Sequence, residues 1–346
     1  MKVAPLIREM NRRPDSFVTE LVHTGQHYDD KMSQVFFDEL DIPRPTVNLH
    51  AGSGSHAKQT AEVMLRLEPF VLENRPDWVV VYGDVNSTAA AALVCSKIGI
   101  KLAHVEAGLR SFDRTMPEEI NRLVTDQLAD LLLTPSPEAD ENLKREGCDP
   151  SKIRFVGNIM IDTLVHLLPR ADERWPALRE RTGGRYVLVT FHRVSNVDSP
   201  ETLHEIMTAL SRIAAHTPVV FPVHPRTQNA LRSAGVAGSD RVMLIDPLGY
   251  LDFVALQKHA AVVLTDSGGV QEETTYLGVP CLTARPNTER PVTVTDGTNR
   301  LIESRADAMA AAVEDTLANF KPSGRRPALW DGRTAERIAD ILEALR

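Results

Sequence analysis

Residues 266–273, with the sequence DSGGVQEE, combine two glycines and three carboxylates at a junction between predicted elements. The apolar run 261–264 predicts a buried strand, and residues 270–277 predict the first turns of a helix. Glycines at such a junction let a ligand approach the backbone closely. The free N–H groups and positive end of a helix favour an anion such as a diphosphate. Glu272 and Glu273 could accept hydrogen bonds from a sugar hydroxyl. An ordinary turn, with acidic residues complementing the helix dipole, is the alternative.

Three more carboxylates stand at predicted element ends in the first half of the chain. Asp84 follows the apolar run Trp78–Tyr82, Glu106 follows Lys101–Val105, and Glu118 opens a predicted helix. The carboxyl ends of parallel strands converge on one crevice, where open α/β sheets bind ligands. Carboxylates gathered there raise one another's pKa, so that one can be protonated while another is ionised. Acid–base chemistry on a sugar needs that division.

Each of these carboxylates also has a purely structural interpretation. Asp84 could cap a helix, Glu118 could complement the helix dipole, and Glu106 could pair with Arg110. The functional interpretation is stronger for the three together, because convergence at strand ends is typical of active sites.

The second half adds two histidines, an arginine and an aromatic ring. His192 and His224 each follow a predicted strand, where a histidine could donate to a phosphate or transfer a proton. A polar cap for the next loop is the alternative, and it suits His224 better. Arg290 could bind phosphate or carboxylate oxygens in the same crevice as the glycine pair. Phe253 could pack on a base, with core packing an equal alternative. No spacing of His, Cys and Asp supports a metal site.

These residues need parallel sheets to position them, and the pattern of the chain predicts such sheets. Apolar runs alternate with helical patterns over 346 residues, and the alternation restarts in the second half, so two α/β domains are expected. The charged segment 170–185 is predicted to end the interdomain connection, and 334–346 to form a closing helix. The predicted strands are 17–23, 47–50, 78–82, 101–105, 131–134, 153–156, 186–190, 219–223, 242–245, 261–264 and 280–283.

Composition excludes several classes of protein. The net charge of −8 argues against a general nucleic-acid or anionic-membrane surface. No apolar run approaches the ~20 residues of a membrane span, and the N-terminal residues lack the pattern of a signal peptide. The three cysteines are far apart and form no metal-ligand spacing, which indicates a reducing compartment. We therefore predict a cytoplasmic protein, with Cys95 and Cys281 in the core.

The chain begins with a helical pattern at Val3–Asn11 instead of a strand. A doubly wound sheet normally opens with a strand that becomes central. Without it, two neighbouring strands would lack ladder partners. We expect either that the start is set too late or that something else fills the gap.

Six motifs, taken together and in order, closely resemble the non-hydrolysing UDP-N-acetylglucosamine 2-epimerases over essentially the whole chain. The resemblance implies two Rossmann-like domains of glycosyltransferase-B type, residues 1–168 and 169–346, with the nucleotide on the second domain, the sugar in the cleft, and the last helix packing back on the first domain. Family members begin with a Gly-Thr-Arg-Pro-Glu loop that is missing here, and Lys2 matches the lysine after it. The motifs are TGQH at 24–27, GD at 83–84, HVEAGLR at 104–110, PEE at 117–119, LTDSGG at 264–269 and TERP at 288–291.

The resemblance also assigns roles. Residues that match the family's catalytic positions are Asp84, Glu106, Glu118 and His192. Residues implied to bind the substrate are Lys2, Leu248 through its backbone, Phe253, Ser267, Gly268, Gly269, Glu273 and Arg290. The diphosphate would lie on 267–269, the ribose on Glu273, and the uracil between Leu248 and Phe253.

The activity implied by the resemblance is interconversion of UDP-N-acetylglucosamine and UDP-N-acetylmannosamine. UDP would be eliminated to leave a 2-acetamidoglucal and would add back after reprotonation on the other face of C2. No cofactor is needed, and a homodimer without nucleic-acid or membrane partners is expected. The alternatives are a hydrolysing 2-epimerase, a glycosyltransferase of the same fold, and an inactive UDP-sugar-binding protein.

Overall fold

The chain divides into two compact units. Unit 1 comprises Met1–Val165 and Ala328–Arg346, and unit 2 comprises His166–Pro327. The first boundary lies three residues before the expected position 168/169, and the last nineteen residues belong to unit 1. His224, Gln26 and His27, singled out above, lie outside the described residues. The computed structural model describes residues 1–25, 39–193, 196, 199–223, 225–233, 241–321 and 324–345.

Unit 1 is built on parallel strands with helices between them. Its strands form a four-stranded sheet in the order β3-β4-β5-β6 and a separate two-stranded sheet of β1 and β2. Within the described residues, no ladder joins these two sheets. The elements are α1 (Val3–Asn11), β1 (Val22–His23), β2 (Val47–Asn48), α2 (His56–Asn74), β3 (Trp78–Tyr82), α3 (Asn86–Ile98), β4 (Lys101–Val105), α4 (Pro117–Leu128), β5 (Leu131–Thr134), α5 (Pro137–Arg145), β6 (Ile153–Phe155), α6 (Ile159–Asp172), which contains the unit boundary, and α14 (Thr334–Ala344).

Unit 2 holds a six-stranded parallel sheet in the order β12-β11-β10-β7-β8-β9. The chain runs outward from β7 to β9 and then returns to the other side of β7, so the topological switch point lies between β7 and β10. Ligands bind at such points in doubly wound sheets. The elements are α7 (Trp175–Thr182), β7 (Val187–Thr190), α8 (Pro200–Ala214), β8 (Val219–Pro222), α9 (Pro225–Ser233), β9 (Val242–Ile245), α10 (Tyr250–His259), β10 (Val262–Thr265), α11 (Gly268–Leu277), β11 (Cys281–Ala284), α12 (Val292–Thr295), β12 (Asn299–Ile302) and α13 (Ala306–Asn319).

The closing helix α14 covers the first helix of the chain. Leu6 and Met10 of α1 share an apolar cluster with Ile338 and Leu342 of α14. Arg13, just after α1, donates hydrogen bonds to Asp340 and Glu343 of α14. Burial of an amphipathic face, not propensity, stabilises most short helices, so α1 depends on residues more than 320 positions away.

Most predicted strands are confirmed to within one residue, and four features differ from the prediction. The strand predicted at 17–23 is reduced to β1, and the one at 47–50 to β2. Strand β12 was not predicted at all. The predicted connection at 170–185 is largely helical, because it contains the end of α6 and the whole of α7. The buried positions of Cys95 and Cys281 confirm them as core residues.

Candidate active site

The start of α1 brings a lysine against a buried carboxylate in the loop after β4. Glu106 is buried, and its side chain forms an ion pair with Lys2. A Cβ on Gly83 would stand 2.6 Å from Lys2 Nζ and 3.9 Å from Glu106 Oε2, and Gly83 has a left-handed φ of 64°. Only glycine fits there without displacing the lysine. The predicted convergence of these two strand ends is therefore observed.

Glu106 has a left-handed backbone, with φ of 74°. A non-glycine residue in this region costs about 1–3 kcal/mol and persists only where surrounding contacts enforce it. Here the backbone N–H groups of Glu106 and Ala107 both donate to the carbonyl of Leu133 at the end of β5. The strand end thus fixes the position of the Glu106 carboxylate.

Two of the structural alternatives are wrong. Asp84 is not the N-cap residue of α3, because Val85 occupies that position. Asp84 instead pairs with Arg122 of α4. Glu106 does not pair with Arg110, whose guanidinium binds Asp126 at 2.7 Å and Glu146 at 2.6 Å.

The adjacent glutamates at the start of α4 face in different directions. Glu118 is exposed in the first turn. Glu119 is buried and accepts from the backbone N–H groups of Ser111 and Phe112, both at 2.9 Å. Arg122 binds Glu119 at 2.7 Å and also Asp84, so it connects the loop after Arg110 to the carboxylate after β3. The dipole interpretation of Glu118 is compatible with its position, and a role in proton transfer stays a prediction.

A buried histidine supports the loop that carries Asp84. His104 Nδ1 lies 2.6 Å from Asp126 Oδ1, and its Nε2 lies 2.8 Å from the carbonyl oxygen of Gly83. Asp126 also accepts from the Gly108 N–H at 3.1 Å. Burial opposes the charged form of Asp126, but His104 and Arg110 outweigh it and lower the pKa of this carboxyl. The network fixes both strand ends of the carboxylate cluster.

In unit 2 the switch point joins His192, after β7, to Asp266, after β10. The backbone N–H groups of His192 and Arg193 donate to the buried Asp266 carboxylate, and His192 Nδ1 lies 2.9 Å from Asp266 Oδ1. Burial raises the pKa of Asp266, but the hydrogen bonds from His192 and Asn196 outweigh it, so that the pKa is lowered. The His192 ring is fixed at one nitrogen and remains exposed at the mouth of the sheet.

The N-terminus of α11 and Arg290 form an anion-binding arrangement. Ser267 is the N-cap residue without a side-chain cap, and Gly268 and Gly269 follow it, all half-buried. Arg290 Nη1 lies 2.7 Å from where a Cβ on Gly268 would stand. The first backbone N–H groups of α11, the helix dipole and a guanidinium therefore lie close together, which suits a diphosphate.

Two buried carboxylates hold Arg290 in that position. Its Nε binds Glu272 Oε1 at 2.8 Å, and its Nη1 lies 3.5 Å from Glu289 Oε2. Burial raises the pKa of Glu289, but Arg285 and Arg290 outweigh it and hold the pKa well below its usual range. The guanidinium is therefore held in place by charge before any ligand arrives.

Glu273 lies one turn into α11 and is buried. Tyr250, the first residue of α10, donates to Glu273 Oε1 at 2.7 Å, and Gln257 donates to Oε2 at 3.1 Å. Burial raises the pKa of Glu273 to about 7. The bond from Tyr250 also places the start of α10 beside α11. Leu248 and Phe253, both half-buried, flank that start, but a contact with uracil stays a prediction.

The raised pKa of Glu273 predicts a stability difference that depends on pH. The folded protein holds this proton more tightly than the unfolded chain, whose carboxyl has the ordinary value of about 4.5. Protonated Glu273 therefore contributes to the free energy of unfolding. This contribution is fully present below about pH 4.5 and is lost as the pH rises through about 7. Glu273→Gln cannot ionise, so relative to wild type it should gain up to about 3 kcal/mol between pH 5 and pH 8. Urea unfolding at both pH values measures this.

The matched control is Glu314→Gln, an exposed glutamate of the same unit. Its difference from wild type should be the same at pH 5 and pH 8. An equally constant difference for Glu273→Gln would show that Glu273 ionises normally in the folded protein.

Sequence reasoning missed the residues that hold the predicted ones in place. Arg122 and Glu119 orient Asp84, Asp126 orients His104, and Tyr250 orients Glu273. For Glu119, Arg122 and Asp126 the available indication was a place in or shortly after the motif PEE, where a helix was predicted to begin. Tyr250 had no such indication. In the part of the chain described here, no group of His, Cys, Asp and Glu has the geometry of a metal site, and no helix is long and apolar enough to cross a membrane.

Comparison with known proteins identifies relatives along the whole chain. The family model described as UDP-N-acetylglucosamine 2-epimerase matches residues 8–343. A UDP-N-acetylglucosamine 2-epimerase homolog of Methanococcus maripaludis is 42% identical over 100% of this chain and 96% of its own length. A UDP-2,3-diacetamido-2,3-dideoxy-D-glucuronate 2-epimerase of Pseudomonas aeruginosa is 40% identical over 94% of this chain and 91% of its own length.

A solved structure with the same fold contains both nucleotides. The UDP-GlcNAc 2-epimerase of Methanocaldococcus jannaschii, crystallised with UDP-GlcNAc and UDP, superposes with a TM-score of 0.91 at 41% identity, over 99% of this chain and 96% of that one. The two Rossmann-like units are therefore those of the glycosyltransferase-B fold, as the family resemblance implied.

Proposed function

The chain belongs to the UDP-N-acetylglucosamine 2-epimerase family, and we propose on that basis that it interconverts UDP-GlcNAc and UDP-ManNAc. Besides family membership, the observation that supports this activity most strongly is the buried carboxylate of Glu106. The left-handed backbone of this residue holds the carboxylate at a strand end. A relative of the same fold is known with UDP-GlcNAc and UDP bound.

We assign removal and return of the C2 proton to Asp84, Glu106 and Glu118, with Lys2 beside Glu106 and His192 beside Asp266. The electron pair of the C2–H bond forms the C1–C2 double bond as the C1–O pair leaves with UDP. UDP then adds back to C1 while C2 receives a proton on the opposite face. A carboxylate fixed before the reaction begins needs no reorganisation during it.

We assign the departing UDP to unit 2. The N-terminal residues of α11 and the guanidinium of Arg290 would take the diphosphate, and Glu273 the ribose. Leu248 and Phe253 would take the uracil. The charge that develops on the leaving diphosphate is stabilised by donors that point at it in advance. No cofactor takes part in this reaction.

Proton NMR of UDP-GlcNAc with the enzyme in deuterated water tests the proposal. We expect loss of the C2 proton signal, appearance of UDP-ManNAc, and UDP that stays attached to the sugar. Free UDP and free sugar would indicate a hydrolysing enzyme. Turnover only with an added acceptor would indicate a glycosyltransferase, and an unchanged spectrum would indicate a binding protein.

A second candidate is C2 epimerisation of UDP-2,3-diacetamido-2,3-dideoxy-D-glucuronate. It is supported by the 40% identity to the Pseudomonas aeruginosa enzyme of that name, close to the 42% for the archaeal homologue. Both reactions invert C2 of a UDP-acetamidosugar, so the chemistry assigned to Glu106 serves either. The same NMR experiment with each substrate decides between them, because the true substrate should show the higher kcat/KM.

We further propose a homodimer in the cytoplasm. The three cysteines are unpaired, which suits a reducing compartment. A groove of about 530 Å³ in unit 1, lined by apolar residues of α2 and α4 such as Met64 and Ile120, supports self-association. Leu65 is exposed on the same helix α2. Analytical ultracentrifugation measures the oligomeric state: wild type should be a dimer, and Ile120→Glu should be more monomeric. A monomeric wild type would contradict the proposal.

A further inference from the structure

Phe112 is an exposed aromatic residue in an unfavourable backbone conformation. Its side chain is 72% exposed, and its φ is 58°. A bulky residue with a left-handed φ is a genuine outlier. The exposed ring gains nothing from burial that would compensate for this strain. The conformation must therefore be enforced by other contacts, and such strained residues cluster at functional sites.

A buried carboxylate enforces the conformation. Glu119 accepts from the backbone N–H groups of Ser111 and Phe112 with one oxygen each, both at 2.9 Å. Asp113 adds a local turn, because its Oδ1 accepts from the Thr115 N–H at 3.0 Å. The loop is thus held from inside the unit while the ring of Phe112 points outward into solvent.

The same anchor connects Phe112 to the catalytic carboxylates. Arg122 binds Glu119 and Asp84 with its two terminal nitrogens. Asn121, its neighbour on α4, donates to the backbone carbonyl of Asp84 at 2.9 Å. Glu118 precedes Glu119 in the same helical turn. Only two side chains therefore separate the Phe112 backbone from the Asp84 carboxylate.

We propose that Phe112 contacts the sugar half of the substrate and helps to determine which acetamidosugar is bound. Substrate pockets combine a few placed polar groups with apolar and aromatic surfaces. The described carboxylates and lysine of this cluster supply polar groups, and Phe112 supplies an aromatic one. The part of a UDP-acetamidosugar that such a ring recognises is the acetamido methyl or the C–H face of the hexose. This inference rests on the proposed function, because it takes the substrate to be a UDP-acetamidosugar.

The test compares Phe112→Ala with Phe112→Gly. Both variants remove the ring, but glycine also removes the strain, since it adopts a left-handed φ without penalty. Phe112→Gly should therefore melt about 2–4 °C above Phe112→Ala. Both should raise the KM for UDP-GlcNAc about tenfold or more, the usual effect of losing one apolar contact in a substrate pocket. Their affinity for UDP, which lacks the sugar, should equal that of wild type.

Val18→Ala is the control, because Val18 is 96% exposed and lies in no assigned site. Its KM should be unchanged. An unchanged KM in both Phe112 variants would overturn the inference, as would an equal loss of UDP affinity. If the Phe112 variants change KM and also dissociate, while wild type stays oligomeric, Phe112 belongs to a subunit contact instead. If wild type fails to epimerise UDP-GlcNAc, calorimetric binding of UDP-GlcNAc and UDP to the same variants still tests Phe112 separately.

Discussion

Glu106→Gln is expected to slow exchange of the C2 hydrogen by a factor of about 10² to 10⁴ while leaving UDP affinity close to wild type. That range is typical for the loss of a positioned acid or base. Glutamine keeps the shape of the side chain but cannot take a proton, and it also gives up the ion pair with Lys2. The residues proposed to bind the nucleotide lie in unit 2, so the change leaves them intact. Deuterium exchange followed by NMR, with calorimetry for UDP, measures both quantities.

The matched control is Glu141→Gln, an exposed glutamate of unit 1 on α5. It should exchange and bind like wild type. If Glu106→Gln epimerises at nearly the wild-type rate, Glu106 is a structural carboxylate and the catalytic set is wrong. Loss of UDP binding together with activity would point to misfolding, which circular dichroism would reveal.

Arg290→Ala should lower kcat/KM by about 10²- to 10³-fold, the usual effect of removing one positioned donor from a developing anion. Arg290 stands over Gly268 at the N-terminus of α11, where the diphosphate is assigned. Arg290→Lys should recover part of the loss, because it keeps the charge but not the planar pair of donors. Initial rates with UDP-GlcNAc and the affinity for UDP should fall together.

Arg300→Ala provides the control for charge, since Arg300 is an exposed arginine of unit 2 that pairs with Asp315. Its kinetics should match wild type. Because Glu272 and Glu289 lose a partner in Arg290→Ala, a melting curve must accompany the kinetics. An undiminished kcat/KM in a folded Arg290→Ala protein would remove Arg290 from the diphosphate site.

The fold was predictable wherever a strand is an uninterrupted apolar run. Strands β3 and β9 are of this kind, and their predicted bounds are the observed ones. Strand β12 escaped notice because it begins Asn299-Arg300, and its buried Asn299 is satisfied by Thr283 and Gln271 instead of by apolar packing. Such a polar network depends on tertiary contacts, which a local pattern does not contain.

The types of residue in the candidate site could be predicted from the sequence, but the directions in which their side chains point could not. The motif PEE at 117–119 does not reveal which glutamate faces the interior, because that depends on the rotation of α4 about its axis. The structure buries Glu119 and exposes Glu118. Likewise, the sequence suggests that Glu106 pairs with Arg110, its neighbour at i+4. The strand end instead directs Glu106 toward Lys2, more than a hundred residues away.

The return of α14 to unit 1 has a consequence for synthesis on the ribosome. Unit 2 is a continuous segment, and all of it has been translated before Ala328 emerges. Unit 1 is discontinuous, and the apolar face of α1 can pack against Ile338 and Leu342 only after α14 has been translated. The half of the protein that is made first is therefore the half that can finish folding last. During that interval Leu6 and Met10 lack the part of their cover that α14 provides, and chaperones could bind the apolar surface left exposed.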